Sequence, residues 1–110
     1  MWFKKKKVSE KVQDDRELIS LNERSIEALI VLAKNREDLI KELRQLQEKL
    51  KYLTPSNDAK VSDYDKKIKA LIEDLRILLV KADDEKELPP KVEGTIQQIR
   101  LMMADRNAKI

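Results

Sequence analysis

Apolar residues recur at alternating three- and four-residue spacing in three stretches of the chain, the spacing of a helix with one buried face. The most regular stretch carries leucines at Leu29, Leu32, Leu39, Leu43, Leu46, Leu50 and Leu53, with Arg36 filling the one inner slot that breaks the row. This is a heptad seam. Ile26, Ala33 and Ile40 widen it into a face that packs against two neighbours. Upstream, Val8, Val12, Leu18, Ile19 and Leu21 form only a thin stripe, and the inner positions pass through the polar Asn22 and Asp15. The spacing predicts one continuous first helix over residues 8–53, on the order of 68 Å long at ~1.5 Å per residue. Ser20, Glu23 and Ser25 offer capping chemistry that would kink it.

The stretch Thr54-Pro55-Ser56-Asn57-Asp58 reads as a turn. Pro55 biases Thr54 away from helical geometry, and Asn57 or Asp58 can cap the next helix. That second helix is predicted over residues 59–85, where Val61, Tyr64, Ile68, Leu71, Leu75, Leu78 and Ala82 repeat the spacing and Ile72 and Leu79 flank it. Asp63–Lys67 and Asp65–Lys69 read as surface ion pairs one turn apart. Leu88-Pro89-Pro90 ends this segment, and Pro90 suits the first turn of a third helix over residues 90–108. The third helix carries Val92, Ile96, Ile99 and Met103 on one face, with Arg100, Arg106 and Lys109 favouring its C-terminal end.

Short connections make successive helices antiparallel. The expected fold is therefore all-α, an antiparallel three-helix bundle with a long first helix, coiled-coil-like in its seam. Residues 1–7 form a separate tip and residues 8–110 a single helical domain. In this arrangement residues 8–24 project beyond the bundle as an arm, and Asp15 and Asn22 face water at its end.

Composition narrows the chemistry. The chain has no cysteine and no histidine, which removes disulfides, thiolate and imidazole metal sites and the usual nucleophile–histidine pairs. One glycine cannot build a phosphate-binding loop. The acidic neighbours Glu37/Asp38, Glu73/Asp74 and Asp83/Asp84 point about 100° apart on a helix, so they are read as solvated faces and not as metal ligands. Tyr52, Tyr64, Met102 and Met103 are read as core or core edge. No catalytic residue, cofactor, metal or small-molecule substrate is expected. A helical-hairpin secretion substrate would show Trp-x-Gly at its turn, where Thr54-Pro55-Ser56-Asn57 stands here.

Charge is local. The net formal charge is +3, yet without Lys4, Lys5, Lys6 and Lys7 the chain holds 20 basic against 21 acidic side chains. Trp2 and Phe3 precede these lysines, an order opposite to that of a signal peptide. This tip can place its aromatics in lipid headgroups and its lysines against anionic lipid, each lysine worth about 1 kcal/mol. The plain alternative is a solvated terminus that keeps the chain soluble. A third is phosphate tracking on nucleic acid, which the near-neutral body and the lack of further aromatics disfavour.

Two further sets bear on association. Ile30, Val31, Ile77 and Val80 lie off the main seams and, with Leu18 and Leu21 of the arm's stripe, are the expected oligomer or partner face; the bland reading is a broad core edge. Asp15, Asn22, Ser25 and Arg36 interrupt the inner positions, where a buried polar residue can fix register or oligomer state at a cost in stability; the bland reading is that Asp15 and Asn22 face water and that Arg36 carries its charge outward past an apolar stem. The expected function is a non-enzymatic helical scaffold or adaptor acting through helix–helix association. Its partner would be another protein or a second copy, with a dimer as the expected oligomer. A cytoplasmic protein with peripheral membrane contact fits this best, and a nucleic-acid-binding accessory protein using Lys4–Lys7 is the runner-up.

Overall fold

The computed structural model describes residues 8–82 and 87–110. The described residues are all-helical, with four helices: α1 (Val8–Ala33), α2 (Glu37–Lys51), α3 (Ala59–Lys81) and α4 (Pro90–Asn107). The expected long first helix is therefore two. It stays continuous through Ser20–Ser25, where the Ser25 hydroxyl donates to the Leu21 carbonyl within the helix at 2.8 Å and caps nothing. It breaks instead at Lys34, whose φ of 54° is left-handed. The Lys34 and Arg36 amides close the turn onto the Val31 and Ala33 carbonyls at 3.3 and 3.1 Å. Glu37 and Asp38 in the first turn of α2 complement the positive end of its dipole.

The turn folds the leucine seam back on itself. Leu29 and Ala33 of α1 and Leu39, Leu43, Leu46 and Leu50 of α2 are all buried, and the two helices pack as an antiparallel hairpin. Connection 52–58 has the expected chemistry: Asp58 is the N-cap of α3, its Oδ1 accepting the Lys60 amide at 2.8 Å. α3 and α4 form the second hairpin, with Pro90 opening α4 as expected. α3 ends at Lys81 with Ala82 as its C-cap, short of the expected end at residue 85, which lies among residues 83–86 outside the described residues.

The hairpins lie side by side through α1 and α3. The pairs Asp15–Ser56, Asn22–Asp65 and Arg36–Ala82 advance in the same direction along both, so α1 and α3 are parallel. α2 and α4 line shared crevices, with Leu39 and Glu42 near Val92 and Glu93 at one end and Leu53 near Met103 at the other. The core draws Leu29, Leu43, Ile68, Leu75, Ile96 and Ile99, among others, from all four helices. Each such side chain contributes roughly 1.5–3 kcal/mol by burial.

Among the described residues no free arm projects from this bundle. Asp15, Ile19 and Asn22 of the expected arm are 1%, 5% and 0% exposed. The first half of α1 lies on the second hairpin, which a three-helix arrangement would not have offered it. Among the described residues no helix is long and apolar enough to cross a membrane.

Candidate functional site

At the end of the bundle where α1 and α3 begin and α4 finishes, three charged side chains are sealed from solvent. Arg106, in the last turn of α4, is 0% exposed, as is Asp65 of α3, and Asp15 of α1 is 1% exposed. Arg106 Nε donates to Asp65 Oδ1 at 2.8 Å, and Nη2 to Asp15 Oδ2 at 3.2 Å and to the Thr54 carbonyl at 2.7 Å. Asp15 Oδ2 also accepts the Ser56 amide at 2.8 Å. Asn22 donates from Nδ2 to the Asp65 backbone carbonyl at 3.1 Å. One guanidinium thus ties α1, α3, α4 and the 52–58 connection together.

The electrostatics of the cluster are unequal. Two carboxylates meet one guanidinium in apolar surroundings, and a buried charge without a full complement is costly. Burial, and next a hydrogen bond with Asp15, push the Asp65 carboxyl up to about 7, against the lowering effect of Arg106. A second carboxyl pair joins α2 to α4. Burial and a hydrogen bond with Glu93 raise Glu42. Glu93 is lowered, chiefly by the Gln97 amide that donates to it at 2.8 Å. This pair lies at the surface.

The opposite end is held differently. Arg36 is half-buried and Nη2 donates to the Ala82 carbonyl at the C-terminus of α3, at 2.9 Å. The guanidinium satisfies an orphan helix carbonyl there and complements the dipole.

The expected site residues separate. Trp2, Phe3, Lys4, Lys5, Lys6 and Lys7 lie outside the described residues. Ile30 is 7% exposed and belongs to the core, and Leu18 is half-buried. Val31 is 72% exposed, Val80 49%, Ile77 41% and Leu21 38%. Val31, Ile77 and Val80 share the end of the α1–α3 pair where Arg36 meets Ala82. Sequence reasoning missed Leu101, Tyr52 and Ile110, which are also exposed. Tyr52 is not at the core edge: as the C-cap of α2 it turns outward, with Lys51 over its ring.

The buried cluster was also missed. The sequence pairs Asp65 with Lys69 and assigns Arg106 to the helix dipole, whereas each is the other's partner. Among the described residues no group of acidic side chains is placed to hold a metal ion. Compared with family models, with curated proteins and with solved structures, the chain matches none significantly.

Proposed function

We propose that the chain is a non-enzymatic helical interaction module, a scaffold or adaptor working by helix–helix association, with a second copy of itself as its first partner. The observation that carries this reading is the exposure of Val31, Ile77 and Val80 at one end of the α1–α3 pair. Large apolar side chains left exposed on neighbouring helices are available for helix–helix association. The convergent polar cluster gives no support to catalysis, because Asp15, Asp65 and Arg106 are closed to any substrate. Sedimentation of the wild type against V31K/V80K tests the reading. A mass above 12.9 kDa that falls to the monomer in the variant supports it. A wild type that stays monomeric at every concentration overturns self-association.

Residues 1–7 add peripheral contact with an anionic membrane to this proposal, on the order of two aromatics before four lysines. Co-sedimentation with anionic liposomes, with and without residues 1–7, tests it. Binding to nucleic acid that weakens steeply with salt would favour the alternative use of the same lysines.

A further inference from the structure

The buried cluster is incomplete as a set of ionised groups. Asp15 Oδ1, Asp65 Oδ2, Asn22 Oδ1 and Arg106 Nη1 are buried without a hydrogen-bond partner. Most buried polar atoms are paired, and each that is not calls for an explanation. Two of these atoms are carboxylate oxygens from the two aspartates that Arg106 bridges. A proton between them supplies the missing donor for both and removes the excess negative charge.

We infer that Asp15 and Asp65 share one proton, and that losing it loosens the N-terminal half of α1 from the bundle. Between residues 9 and 22 the buried side chains are Asp15, Ile19 and Asn22, two of them polar. The second half of α1 buries Ile26, Leu29, Ile30 and Ala33. The first half is therefore held by polar contacts and the single core side chain Ile19, and the second by several apolar side chains that no proton affects.

The groups that face Asp65 are Asp15 and Asn22 from α1 and Arg106 from α4. The 52–58 connection adds only the Thr54 carbonyl and the Ser56 amide, to Arg106 and Asp15 respectively. Burial and the Asp15 hydrogen bond raise the Asp65 carboxyl to about 7, which sets the proton's release close to neutrality. With no histidine and no cysteine in the chain, the side chains that ordinarily titrate in this range are missing. The inference concerns the fold of one chain and stands apart from the association proposed above.

Amide hydrogen exchange over residues 9–20, corrected for the intrinsic pH dependence, is the test. The opening equilibrium should rise about tenfold per pH unit between roughly pH 4 and pH 7 and level off above. In D65N a neutral amide puts an N–H donor where the shared proton sits, and this slope should vanish. A flat wild-type profile, or an unchanged slope in D65N, overturns the inference. Carbon-detected titration of the wild-type aspartate carboxyls decides it independently of how the variant folds. One of the two resonances should titrate near 7, and both titrating with ordinary carboxylate midpoints, near 4, overturns it.

Discussion

Arg106 Nε lies 2.8 Å from Asp65 Oδ1 across 41 residues of chain, with neither side chain exposed. The same guanidinium reaches Asp15, 91 residues away. Removing it leaves the buried Asp15 and Asp65 carboxyl groups without their cation and the Thr54 carbonyl without its donor. Arg106→Met should destabilise the fold by about 3–5 kcal/mol, the usual cost of breaking a buried pair by deleting one partner. Urea denaturation measures this, and a loss under about 1 kcal/mol would show that the cluster relaxes without it.

The raised Asp65 carboxyl fixes the sign of a pH effect. The folded chain holds a proton that the unfolded chain, with a carboxyl at its usual 3.8, gives up. Its contribution to stability is therefore fully present below about pH 4. It declines by about 1.4 kcal/mol per pH unit up to about pH 7, and is level above. Glu73, held low by Arg76 on the surface, acts in the opposite sense, so the wild type is best compared with D65N. The stability difference between them should move in favour of D65N as pH rises from 5 to 7.5, read by denaturant midpoints.

The leucine rows made the all-helical fold legible, and with it Leu29, Leu39, Leu43, Leu46, Leu50, Ile68 and Leu75 of the core. Pro55, Asp58 and Pro90 marked the later helix ends by their own backbone chemistry. The break at Lys34 was hidden because the short turn keeps the heptad phase: Leu29, Arg36 and Leu43 stand seven apart on either side of it. The buried cluster left a trace that was misread. Asp15 and Asn22 share a seven-residue row with Leu29, Asp65 shares one with Ile72 and Leu79, and Arg106 shares one with Val92 and Ile99. Four polar residues interrupting three apolar rows, all falling at one end of the bundle, are the signal. It becomes readable only once the chain is folded as two hairpins, which the unbroken seam concealed.

The turn that makes the two hairpins uses a lysine in left-handed geometry. That conformation costs a non-glycine residue roughly 1 kcal/mol. Lys34→Gly should recover up to about that much, as a rise in the denaturation midpoint with helicity unchanged. A helical content higher than wild type would mean that the turn had been replaced by a longer helix.

Gly94 sits in the second turn of α4, and a Cβ built there meets nothing within 4 Å. Gly94→Ala should stabilise the chain by about 0.5–1 kcal/mol, because alanine loses less backbone freedom in a helix. Thermal or urea denaturation reads this gain, and no gain would show that the first turns of α4 are frayed.

The most direct test of the shared proton is a double-mutant cycle on Asp15 and Asp65. Each single change to asparagine replaces the protonated carboxyl with an amide that can donate to the remaining carboxylate. D15N and D65N alone should each shift stability by less than about 1 kcal/mol at neutral pH. Together they set two amides against each other, and one must turn away from Arg106 to avoid the clash of donors. The predicted result is a double variant about 1–3 kcal/mol less stable than the two single effects combined, the scale of coupling between groups in one network. Additivity within about 0.5 kcal/mol would contradict it and leave Asp15 and Asp65 as two separate ion pairs to Arg106.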